Sequence, residues 1–428
     1  MSSGFLFGPN NYLSLGNWRP LVTDTVLRQK IEQTIEKIRN SLSANHKYNG
    51  IGLLNGKTGE LLFTYYYYKA TPDPKILDQV LQLLNDIFDA LENAEMELVS
   101  FANGLAGIAW AINHIARDGI IEIDPEQILP ELDLLLHRKM EAELKEGHYD
   151  YLHGGGGIGL YLLNRVSSPY HEKYAQDFLG QLLKSAGYDK DTGHLRWNDY
   201  DHTKGVVLDH IFNLGLAHGM PGIILLLLKI ADPVISPEIR NSYIQGITTF
   251  LLSNRNTSGN FLSQFSYHVN ENDKEGSFKE TRLGWCYGDL GVAYSILKAG
   301  KTLKNDNYQD QAIDILLRTS QRRALRENMV MDASLCHGTA GIAHMFNRLN
   351  QESGLKVFNS TALYWFKETL RMDRFDQGAA ANFKSWNGGT KSMEDDFGLL
   401  TGIAGIGLAL LSAISEVDPG WDECLLLS

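Results

Sequence analysis

An all-α fold is predicted: seven inner and seven outer helices closed into an α/α toroid, with short β-containing insertions at its rim. Three observations predict it. A G-x-x-G recurs seven times along the 428 residues, apolar stretches follow the later copies, and amphipathic stretches fill the intervals. The pairs are Gly56/Gly59, Gly104/Gly107, Gly154/Gly157, Gly219/Gly222, Gly288/Gly291, Gly338/Gly341 and Gly402/Gly405, with first glycines roughly 50 to 70 residues apart. Self-similarity at such intervals marks stacked supersecondary units, none of which buries its apolar face alone. Seven near-equivalent buried helices without polar terminal caps favour a closed ring over an open solenoid.

The elements follow in order. Residues 26–42 (VLRQKIEQTIEKIRNSL) and 73–91 (DPKILDQVLQLLNDIFDAL) carry apolar residues at three- and four-residue spacing and read as outer helices, one face in and one solvated. Between them the YYYY tract at 65–68 reads as helix packing with exposed hydroxyls. Stretches such as GIAWAINHIA, GIILLLLKIA, GVAYSILKAG and GIGLALLSAI are apolar on most sides and read as buried inner helices. The longer intervals after Gly157, Gly222 and Gly341 hold turn-rich insertions, expected as short rim hairpins, the clearest being 254–281. The whole of 1–428 is read as one toroidal domain.

In that ring all seven G-x-x-G ends meet at one mouth, and the residue before each first glycine surrounds it: Asn55, Asn103, His153, His218, Tyr287, His337 and Thr401. Asn55, Asn103 and Thr401 are expected to act as helix N-caps. His and Tyr cap poorly, so the others need another reason. Two before the glycine the series is Leu54, Ala102, Leu152, Ala217, Cys286, Cys336 and Leu400, with thiols only in consecutive repeats five and six. Two Cys at one depth, with His337 on the turn beside Cys336, suit Zn²⁺ with a fourth position open. Four before the glycine, Asp150 stands where other repeats keep Gly or Ser. His218 suits proton transfer, and Arg282, four residues before Cys286, suits developing negative charge. The ten histidines outside this register, among them His46 and His268, are expected to be structural, with His202 and His344 nearest to an exception. Cys424 has no partner in the pattern and is expected to pack.

Composition narrows the class. A net charge of -12 argues against a phosphate-binding surface, so no nucleic-acid partner is expected. Three cysteines suit a reducing compartment, and the N-terminus lacks a signal-peptide pattern; a cytoplasmic location is expected.

GWCYGDLG and SLCHGTAG, with AHGMPG and HYDYLHGGGG, resemble the signatures of the lanthionine synthetase C-like family, the lantibiotic cyclases, from about residue 50 to the C-terminus. The resemblance implies zinc on Cys286, Cys336 and His337, an acid/base role for His218, and site roles for Asp150, Arg282 and Tyr287. His153 has no counterpart of firm role. The implied activity is that of a stand-alone lanthionine synthetase. It closes (methyl)lanthionine thioether rings by Michael addition of precursor-peptide Cys thiolates to dehydroalanine or dehydrobutyrine. The dehydrated precursor is then the substrate, and a separate dehydratase and an exporter in a membrane-bound complex are partners in the family. The alternatives are glutathione transfer to dehydroamino acids on the same metal and a non-catalytic peptide-binding toroid. A glycosidase of α/α-barrel type would need two facing carboxylates, and only Asp150 stands in register.

Overall fold

The computed structural model describes residues 18–44, 50–93, 98–232, 234–273, 278–375 and 379–428; the N-terminal segment, His46 and residues 274–277 of the rim insertion lie outside the described residues. Inner helices are α2 (Lys57–Ala70), α4 (Leu105–Arg117), α7 (Gly155–Leu163), α9 (Met220–Leu228), α11 (Asp289–Thr302), α13 (Thr339–Ser353) and α15 (Ile403–Ile414). Outer helices are α1 (Thr25–Ser43), α3 (Pro74–Asn93), α6 (Pro130–Lys145), α8 (His171–Lys184), α10 (Pro237–Ser253), α12 (Asp306–Thr319) and α14 (Lys356–Arg371), with a single turn, α5 (Pro125–Ile128), before α6. The inner helices are buried along nearly their whole length, whereas an outer helix such as α1 buries one stripe, Leu27, Ile31, Ile35, Ile38 and Leu42. The predicted all-α toroid is the observed fold.

Each inner helix starts on the first glycine of its pair, which is the N-cap in all seven repeats and offers no side chain. The N-cap reading of Asn55, Asn103 and Thr401 is therefore corrected: they stand one residue too early. Thr401 instead donates to Asp396, and the Asn103 amide oxygen has no hydrogen-bond partner among the described residues. The second glycine is a point of close approach. A Cβ at Gly107 would lie 2.0 Å from the Phe101 carbonyl oxygen and 2.8 Å from Leu53 Cβ of the preceding repeat. A larger residue would push the repeats apart.

A chain of backbone hydrogen bonds runs around the mouth through the residue two before each first glycine. Leu54 N–H donates to Ala102, Ala102 to Leu152, Ala217 to Cys286, Cys286 to Cys336, Cys336 to Leu400, and Leu400 back to Leu54 at 2.9 Å, which closes the ring. Among the described residues the one missing link is Leu152 to Ala217. There the Leu152 N–H is held by Asp150 Oδ1 at 2.8 Å, so a side chain replaces the neighbouring repeat.

The rim insertions form four antiparallel two-stranded pairs: β1 (Gly187–Tyr188) with β2 (Leu195–Arg196), β3 (Asp199–Asp201) with β4 (Val206–Leu208), β5 (Ile211–Asn213) with β6 (His268–Asn270), and β7 (Ser385–Asn387) with β8 (Ser392–Glu394). The insertion at 254–281 thus reaches back to pair with the strand leading into repeat four. In the YYYY tract, Tyr65 and Tyr66 are buried and their hydroxyls meet Asp118 and His114, so the expectation of exposed hydroxyls fails for them. The far end of the toroid is filled by the C-terminal 3-10 helix, Gly420–Leu425, whose Asp422 is clamped by Arg348 and His344 of α13. No helix among the described residues is long and apolar enough to cross a membrane.

Candidate metal centre

The shared register of Cys286 and Cys336 becomes direct adjacency, since the Cys286 N–H donates to the Cys336 carbonyl at 3.2 Å. One ligand atom each from Cys286, Cys336 and His337 lies within 4.8 Å of the others. His337 Nδ1 is buried without a hydrogen-bond partner among the described residues. An unpaired buried nitrogen is costly, and a cation held with the two sulfurs would satisfy it. The donor set, two thiols and an imidazole, fits Zn²⁺ with three protein ligands and one position left for another molecule. The hydrogen bond from Cys336 draws the Cys286 thiol well below the ordinary range against its burial, helped by His337 and Arg282. Facing that thiolate, Cys336 is pushed well above the range. The surroundings thus favour a thiolate at Cys286, and a thiolate attracts a cation. A second grouping, His137, Glu141 and Asp177 on α6 and α8, is already served by Lys173, 2.5 Å from Asp177.

Beside this cluster, His218 Nδ1 lies 2.6 Å from Asp150 Oδ2. Asp150 Oδ1 accepts from the N–H groups of Leu152 and His153, both at 2.8 Å, so the carboxylate is fixed by the turn that carries it. Burial raises its pKa, but His218 and these donors outweigh that and hold it at about 2. His218 is pushed down by burial and drawn up further by Asp150, ending above the ordinary imidazole value. With Nδ1 committed, Nε2 is the nitrogen free to exchange a proton with a ligand. His153 stacks between His218, at 6.0 Å between ring centroids, and His202 of the β3–β4 turn, at 5.0 Å; burial lowers its pKa.

Tyr287 stacks on His218 at 5.5 Å, and burial raises the pKa of its phenol, which therefore stays protonated. The Asn213 amide donates to its oxygen at 3.3 Å, and Asn213 is flanked by Asp199 and His268, themselves 3.0 Å apart. Arg282 has its Nε buried and without a hydrogen-bond partner among the described residues. All seven residues singled out in the sequence, Asp150, His218, Arg282, Cys286, Tyr287, Cys336 and His337, are thus linked through these contacts or lie within a few residues of the thiols. Sequence reasoning missed Asn213, Asp199, His268 and Asp332, whose carboxylate lies 3.9 Å from His337 Nε2. Asn213, Arg282 and Asp332 all sit six residues before their first glycine, so extending the register two residues upstream finds two of the four. Asp199 and His268 lie on rim strands outside any register. His344, by contrast, is structural, bonded to Ser412 and Asp422 at the opposite end.

A family model described as lanthionine synthetase C-like protein matches residues 47–426. The nisin biosynthesis protein NisC of Lactococcus lactis subsp. lactis is 25% identical over 352 residues, 77% of each chain. The solved structure of a nisin cyclase superposes with a TM-score of 0.68 at 21% identity, covering 94% of this chain and 98% of that one, a likeness of fold.

Proposed function

From the premise that this chain belongs to the lanthionine synthetase C-like family, we propose that it is a zinc-dependent cyclase forming (methyl)lanthionine rings in a dehydrated precursor peptide. The observation that carries the reading is the three-donor cluster, with its unpartnered His337 nitrogen, set beside the Asp150–His218 pair. Cys286, Cys336 and His337 would hold the metal. Bound there, zinc supplies thiolate at neutral pH, because a coordinated thiol loses its proton.

The remaining work falls to the chain. The reaction forms one C–S bond at the β-carbon, opens the C=C π bond, removes the thiol proton and returns a proton to the α-carbon. His218, whose pKa Asp150 draws up against burial, donates from Nε2 to the α-carbon. Arg282 and the protonated Tyr287 phenol meet the negative charge that develops on the enolate oxygen. Asn213 holds that phenol in place. Confining both ends of the forming ring in one mouth supplies proximity, worth several orders of magnitude in intramolecular reactions.

Zinc-loaded protein mixed with a dehydrated lanthipeptide precursor should consume its free thiols with no change of mass. Thiol loss without zinc, or glutathione adducts with no ring closure, would overturn the reading.

A further inference from the structure

The C-terminal segment fills the toroid, but its backbone does more than close a hole. Three before the first glycine, five repeats carry a side chain with no polar atom: Leu53, Phe101, Leu216, Leu335 and Leu399. Repeats three and five carry Tyr151 and Trp285, rings with a donor, both buried. A buried donor needs an acceptor. Tyr151 Oη donates to the Cys424 carbonyl at 2.6 Å, and Trp285 Nε1 to the Leu425 carbonyl at 2.8 Å.

These two repeats are not arbitrary. Tyr151 directly follows Asp150, and Trp285 directly precedes Cys286. Consecutive carbonyls of one segment therefore grip the residue next to the acid/base carboxylate and the residue next to the first thiol. The following residue, Leu426, lies against repeat four, its Cδ1 3.7 Å from where a Cβ of Gly222 would stand. The segment itself is fixed: Asp422 is bound by Arg348 and His344, and Lys229 reaches both Glu423 and the Ser428 carbonyl at 2.8 Å. Cys424 is fully buried, and its backbone carries this contact.

We propose that the C-terminal segment is a positioning element of the cyclase, with Tyr151 and Trp285 transmitting the fixed Cys424 and Leu425 carbonyls to Asp150 and Cys286. The inference rests on the cyclase reading above. The ring of backbone hydrogen bonds is broken between repeats three and four, at Leu152 and Ala217, so beside the site the mouth is spanned by a side-chain bond, Asp150 to His218, rather than by backbone. The segment ties the two sides of that break together from beneath.

The test uses the full-length chain loaded with cobalt(II) or zinc. Tyr151→Phe keeps the ring and Trp285→Phe keeps an aromatic one of smaller size, and each deletes the donor. Tyr294→Phe is the control: its hydroxyl also donates to this segment, at the Leu427 carbonyl, from within α11 and away from the site residues. We expect W285F to lose metal about tenfold more readily to a chelator and to alter the thiolate-to-cobalt absorption band, as loss of an outer-shell support does. Y151F should keep its metal while kcat falls about tenfold at unchanged KM. Y294F should lower only the melting temperature. The proposal is overturned if W285F and Y151F also lower only the melting temperature. A parent chain that binds metal but closes no ring would remove the cyclase reading instead, with the W285F metal comparison still readable.

Discussion

Asp150 Oδ2 lies 2.6 Å from His218 Nδ1, while its Oδ1 takes the Leu152 N–H that in each of the other six repeats bonds to the next unit of the ring. One carboxylate thus repairs a gap in the mouth and holds the His218 imidazole. Its charge raises the His218 pKa against burial. An imidazolium donor is therefore available below that raised pKa and lost as pH rises through it, which in the proposed reaction sets the alkaline limb of activity. In Asp150→Asn, burial acts without the carboxylate that chiefly opposes it. The alkaline limb should move to lower pH and kcat should fall by ~10²-fold or more. A pH–rate profile with an unmoved limb would remove Asp150 from this role.

Cys336→Ala removes one of the three soft donors while leaving the inner helix that follows it intact. Zinc content measured after dialysis should drop from about one per chain toward zero, with the helical circular dichroism of the parent retained. If instead the variant unfolds, the metal is a structural clamp and the site is closed rather than catalytic.

Gly107→Ala places a methyl where only hydrogen fits, against the Phe101 carbonyl and Leu53. Overpacking of this kind costs about 1–3 kcal/mol, and a contact between backbones that cannot rotate away belongs at the upper end. Gly180→Ala in α8 meets nothing within 4 Å and should stabilise the helix by up to about 1 kcal/mol. Paired melting curves of the two variants should move in opposite directions.

Asp422 is buried, which raises its pKa, yet Arg348 and His344 pull it down to about 2 from the ordinary 3.8. Because the folded value is the lower one, its contribution is complete above the unfolded value and is lost as pH falls from about 4 to about 2. In Asp422→Asn that acid loss should be shallower. The same variant should cost about 3–5 kcal/mol at neutral pH, since Arg348 is left buried without its partner. Melting temperatures across pH 2 to 7 read both effects. Parallel parent and variant curves would assign the acid sensitivity to other groups.

The sequence by itself determined the repeat. Periodic glycines and the apolar or amphipathic stretches between them specify helices and their pairing, because close backbone approach and one-sided burial write themselves into local spacing. It also picked out the thiols, His337, His218 and Asp150, because a repeat exposes any residue that departs from its rule. What only the tertiary structure decided lies between repeats. The first glycine, not the polar residue before it, caps each inner helix. Asp150 meets His218 across 68 residues, and Asp199 and His268 come to Tyr287 from separate rim strands. Two carbonyls near the chain's end reach Tyr151 and Trp285. These contacts follow from ring closure, which brings distant residues to one centre, and no local spacing encodes which of them will meet there.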